Sequence, residues 1–86
     1  MDIEFDPAKD AANIAKHGVS LALGASMDME NAVIDPDTRR EYGEERLNAL
    51  GMIGDRLYAM TFTVRSVVRI INLRKANARE RKRYIA

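Results

Sequence analysis

The second half of the chain packs three apolar segments into about thirty residues, at about 45–53, 57–65 and 67–74. The connections between them, Gly54-Asp55 and Arg65-Ser66, are short enough only for hairpins. Such spacing reads as three strands of an antiparallel meander. In the middle segment Tyr58, Met60, Phe62 and Val64 fall on one face, with Ala59, Thr61 and Thr63 on the other. Val67-Val68 and Ile70-Ile71 do not alternate, which suits a strand covered on both faces.

Upstream the signals change. Ile3-Glu4-Phe5 reads as a short opening strand. Asp6 followed by Pro7 starts a helix, since Asp caps free amides and Pro has φ preset for the first turn. That helix is expected to run to about Lys16, with Gly18 as a left-handed C-cap. Ser20 caps a second short helix to about Met27, residues 31–35 form a strand, and Asp35-Pro36-Asp37 turns the chain. Residues 38–43 are polar and read as loop, and a charged helix from Ala76 to about Tyr84, with Asn77 a cap, closes the chain. Helices, then a meander of about three to five strands, then a helix define an α+β fold. The chain, residues 1–86, is expected to be a single domain.

Composition sets outer limits. With 47% apolar and 31% charged residues this is a globular chain, and one so short buries only roughly 60–65% of its unfolded surface. Absence of cysteine excludes disulfides, thiolate metal sites and a Cys nucleophile. His17 is the only histidine, so a multi-His zinc site is unavailable, and no metal site or cofactor is expected. No apolar run is long enough to span a membrane. The acidic start Met1-Asp2-Ile3-Glu4 is unlike a signal peptide, so a cytoplasmic location is expected.

The net charge of +1 conceals a division. Residues 1–45 carry four basic and eleven acidic side chains; residues 46–86 carry ten basic side chains against Asp55 and Glu80. Either the halves neutralise each other in the fold, or the C-terminal part offers a surface for anions.

Few groups can do chemistry. His17 is either a general base or a helix-end residue satisfying carbonyls. Lys9, Asn13 and Lys16 share a helix face, as a solvated stripe or a phosphate-positioning surface. Arg65, Arg69, Arg74, Lys75, Arg79, Arg81, Lys82 and Arg83 form the main basic run, and arginine's planar fork matches phosphate. Strand parity puts Arg65, Arg69 and Lys75 on one side and Arg74 on the other, so they cannot all converge without the closing helix. Thr61 and Thr63 add hydroxyls and Tyr84 a stackable ring. Glu80 is the lone carboxylate among eight cations, either a proton acceptor or a clamp for a neighbouring cation.

The residues Phe5-Asp6-Pro7-Ala8-Lys9, Asn13 and Lys16-His17-Gly18-Val19-Ser20 resemble the opening signature of the BrnT toxin family. The resemblance continues through Glu44-Glu45-Arg46, Gly51 and Phe62-Thr63-Val64-Arg65. It closes with Arg69-Ile70-Ile71, Arg74-Lys75-Ala76, Glu80-Arg81 and Tyr84. The chain departs from the pattern at Asn72-Leu73, where Ser-Ala is common, and at Leu21, where an aromatic is usual.

The resemblance implies a RelE-like fold and a ribonuclease toxin of a type II toxin–antitoxin pair, one that cleaves RNA and stops translation. It further implies a ribbon-helix-helix antitoxin, BrnA-like, whose complex with the toxin binds its promoter DNA. Metal-free cleavage needs a 2′-hydroxyl deprotonated, charge on the phosphate stabilised and the 5′-oxygen protonated. Carried onto this chain, the resemblance makes Arg69 and Arg74 the phosphate-stabilising cations and His17 or Glu80 the base. The other of that pair, or Tyr84, serves as acid or stacking group. Lys9, Lys16, Arg65, Lys75, Arg79 and Tyr84 are the expected RNA contacts. Two other classes remain open: a nucleic-acid-binding module without catalysis, and a partner protein whose basic surface receives an acidic chain.

Overall fold

A computed structural model describes residues 1–39, 41 and 43–85; Arg40 and Tyr42 of the expected loop lie outside the described residues. The order is β1 (Ile3–Glu4), α1 (Pro7–His17), a 3-10 helix (Leu21–Ser26), β2 (Val33–Pro36), β3 (Leu47–Ile53), β4 (Arg56–Val64), β5 (Val68–Lys75) and α2 (Ala78–Ile85). One sheet orders the strands β1-β5-β4-β3-β2. Strands β2 to β5 form the antiparallel meander, and β1 adds a two-residue parallel edge against Val68 and Arg69. The fold is α+β, as the alternation of signals requires.

Local chemistry sets the helix ends. Asp6 accepts the Ala8 amide as N-cap, Pro7 follows it, and Gly18 at φ +77° ends α1 by donating its amide to the Ile14 carbonyl at 2.8 Å. Asp10 then ties α1 to the next element, since its carboxylate accepts from the Ser20 hydroxyl and the Leu21 amide. In α2, Asn77 accepts the Glu80 amide while Glu80 accepts the Asn77 amide, a reciprocal cap.

The sheet has apolar groups on both faces. Leu21, Met27, Ala49, Tyr58, Met60, Phe62, Ile70 and Leu73 make the main core. A smaller cluster of Leu50, Leu57 and Ala76, with Ala59 and Tyr84 against it, lies on the opposite face.

Two details go beyond the strand pattern. Val64, which alternation puts on one face with Tyr58, Met60 and Phe62, is 63% exposed because it lies at the end of β4. The irregular pattern of β5 reflects a bulge: Thr61 pairs with Asn72 and Phe62 with Ile70, which leaves Ile71 as one extra residue. Ile70 and Leu73 therefore both reach the main core although they are three apart. The same extra residue reverses the parity argument, because Arg69 opposite Thr63 and Arg74 opposite Ala59 now share the other face.

Candidate active-site cleft

On that other face lies an open cleft of about 670 Å³, a volume within the usual range for ligand sites. Its floor is made by Asn48 of β3, Ala59 and Thr61 of β4, and Ile71 and Asn72 of the bulge. Its rim is basic: Lys16 and His17 from the end of α1, Arg74 from β5, Arg83 from α2, and Arg39 and Arg46 from the segment between β2 and β3. The carboxylate lining it, among the described residues, is Glu80.

Arg74 and Glu80 form a forked ion pair, Nη1 to Oε1 at 2.7 Å and Nη2 to Oε2 at 2.9 Å. This geometry fixes the guanidinium plane. The hydrogen bonds from Arg74, opposed by burial and reinforced by the Asn77 amide, hold the Glu80 carboxyl below its ordinary value. His17 is pushed down from its ordinary 6.5, first by desolvation and then by the charges of Lys16 and Arg74. These effects favour the neutral imidazole, which has a lone pair to offer. On the floor the Thr61 hydroxyl donates to the Asn48 side-chain oxygen at 2.7 Å. Thr63 is 4% exposed and its hydroxyl goes to the Glu45 carbonyl, so it offers nothing to a ligand.

The fold thus brings His17, Arg74, Glu80 and Lys16 together. The other expected residues lie elsewhere. Arg69 is bound to Glu4 at the distant end of β5, and Arg65 sits exposed in the turn after β4. Lys9 is exposed in the first turn of α1, Lys75 at the end of β5 and Arg79 on α2. Tyr84 packs against the smaller apolar cluster. The stripe of Lys9, Asn13 and Lys16 is not a common surface either. Asn13 is 5% exposed, and its side chain is spent on main-chain partners.

Sequence reasoning did not single out Arg39, Arg46 or Asn48. Their positions depend on how β2 and β3 pair, and only Arg46 carried a signal, through the Glu44-Glu45-Arg46 motif. Arg83 was one of a run, and it is the member of that run on α2 that reaches the cleft and also pairs with Asp35.

A small α+β protein with one histidine at the rim of an arginine-lined cleft has the makings of a phosphodiester-binding protein. Residues 5–80 match the family described as the ribonuclease toxin BrnT of type II toxin–antitoxin systems, and the chain belongs to that family. Membership gives it a ribonuclease role, with RNA as substrate, and an antitoxin as partner. The match ends at Glu80, so Arg81 to Tyr84 stand beyond it. No curated protein matches the chain. No helix among the described residues is long and apolar enough to cross a membrane.

Proposed function

We propose that the protein is a metal-independent endoribonuclease that arrests translation by cutting RNA in the cleft between α1, the bulge of β5 and α2. The observation that carries this reading is that His17 and the guanidinium of Arg74, fixed by Glu80, line one cation-rich cleft.

In this mechanism the phosphate lies against Arg74, whose charge stabilises the oxygens as negative charge grows on them. His17 takes the proton from the 2′-hydroxyl. The 2′-oxygen bonds to phosphorus as the bond to the 5′-oxygen breaks, and solvent reaching the open cleft protonates the leaving oxygen. The products are a 2′,3′-cyclic phosphate and a 5′-hydroxyl. Glu80 has both oxygens committed to Arg74, so it holds the cation in place and is a poor base. The same commitment leaves the cleft's carboxylate with little to offer a divalent cation. Lys16, Arg39, Arg46 and Arg83 bind flanking phosphates, and Arg69 with Arg65, Lys9, Lys75 and Arg79 extends the electrostatic path for RNA beyond the cleft.

Family membership also supports a ribbon-helix-helix antitoxin partner and promoter binding by the pair. Purified protein incubated with single-stranded RNA and excess chelator should yield cyclic-phosphate ends. His17→Ala and Arg74→Ala should each lower the rate by about a hundredfold or more. Cleavage at the wild-type rate by both variants would remove this site, and binding without cleavage would make the protein a non-catalytic RNA binder.

A further inference from the structure

The outer edge of β5 poses a problem that the sheet itself does not solve. β1 pairs only with Val68 and Arg69, so among the described residues no strand covers that edge beyond Ile70. Leu73 is fully buried there, and main-chain groups at such a site need partners. Asn13 supplies them from α1. Its Nδ2 donates to the Leu73 carbonyl at 2.8 Å, and its Oδ1 accepts the Leu73 amide at 3.2 Å. The second hydrogen on Nδ2 goes to the Val19 carbonyl at 2.9 Å. One amide therefore grips the strand and the turn that follows the helix.

We propose that Asn13 is a positioning residue, docking α1 on β5 so that His17 is held against Arg74 in the geometry cleavage requires. This rests on the ribonuclease reading of the cleft. His17 lies one helical turn after Asn13 on the same side of α1, and Arg74 directly follows Leu73. Val19, the other partner, is two residues beyond His17, so the imidazole is bracketed by the bonds of one side chain. Without that amide, α1 is tied to the body of the protein through Asp10 in its first turn and by apolar packing. The end carrying His17 then loses its hydrogen bonds to β5.

A residue serving only the fold would lower stability and leave the folded molecules as active as before. A positioning residue changes kcat and the environment of His17 in molecules that remain folded. The test compares wild type with Asn13→Ala and Asn13→Asp. The aspartate keeps an acceptor for the Leu73 amide and loses both donors, so one variant remains if the alanine does not fold. Circular dichroism sets a temperature at which each is folded, steady-state cleavage of a defined RNA gives kcat and KM, and NMR titrates the imidazole. The charged groups lining the cleft with His17 are Lys16 on α1, Arg74 on β5, Glu80 and Arg83 on α2, and Arg39 and Arg46 before β3, and of these Lys16 and Arg74 act on its charge. Asn13→Ala alters none of them.

The expected result is a loss in kcat of about a hundredfold, the scale set by a displacement of about 1 Å, with KM changed far less. The His17 midpoint in Asn13→Ala should rise toward 6.5. Variants with wild-type kcat and an unmoved His17 midpoint would overturn the proposal. If the wild type does not cleave RNA, the ribonuclease reading fails, while the titration still reports whether Asn13 sets the surroundings of His17.

Discussion

Glu80 holds Arg74 with both carboxylate oxygens, and one of those oxygens also accepts the Asn77 amide that opens α2. The start of a helix and the orientation of the cation proposed to stabilise the phosphate are thereby one arrangement. Glu80→Gln keeps a hydrogen-bonding group of the same shape but loses the charge, so it should slow cleavage less than Arg74→Ala does. Arg74→Lys should rescue little, because an ammonium cannot reproduce the fork. Single-turnover rates on one RNA should rank Glu80→Gln fastest of the three variants, then Arg74→Lys, with Arg74→Ala slowest. The reverse order would show that Glu80 does more than hold the guanidinium.

The pH dependence follows from His17. Desolvation, Lys16 and Arg74 all disfavour its protonated form, so the base becomes available below 6.5. Cleavage should rise through a midpoint under that value and then level off. Added salt weakens the repulsion from Lys16 and Arg74, so the midpoint should move upward with ionic strength. A profile unmoved in His17→Ala would assign the midpoint to another group.

Stability should also depend on pH, in two stages with the same sign. His17 has its folded pKa lowered, so the unfolded chain binds the proton first and stability falls as pH drops below about 6.5. Glu80 has its carboxyl lowered from 4.5, so its contribution is present above that value and is lost as pH falls through the folded value. Urea midpoints between about pH 7 and pH 3, for wild type, His17→Ala and Glu80→Gln, separate the two stages.

RNA affinity should report which cations lie in the cleft. Arg46→Ala should weaken binding and reduce the slope of log affinity against log salt by about 0.7, the value for one contact to a single strand. Arg79→Ala, on the exposed side of α2, should change both less. Equal effects would mean that net charge alone governs binding.

Gly18 gives a purely structural check. At φ +77° with open space around its Cα, alanine there meets backbone strain and no clash, costing about 1 kcal/mol. Thermal melts of Gly18→Ala should show a modest loss.

Much of this architecture was legible in the residues alone. Asp6-Pro7, Gly18, Ser20 and Asn77 announce helix ends through bonds among near neighbours, and the hairpin spacings fix the meander. The exposure of Val64 was not legible, because alternation records which face a residue points to, not how far the partner element extends. Asn13 read as part of a solvated stripe because its partner, Leu73, is sixty residues away. The cleft was partly legible: His17, Arg74 and Glu80 were singled out as chemistry, while Arg39, Arg46 and Asn48 depend on strand pairing that no local pattern carries. Arg69 and Arg74 are equivalent by residue type and both are ion-paired, but Glu4 holds Arg69 away from the cleft that Arg74 lines.

The bulge at Ile71 bends β5 without changing the faces of the residues after it. Deleting Ile71 would leave Ile70 opposite Phe62, Asn72 opposite Thr61 and Leu73 opposite Met60, so Leu73 and Arg74 would keep their sides of the sheet. Such a deletion would remove the bend itself and one side chain of the cleft floor. The alternation of this strand is indifferent to that residue, and its curvature is not.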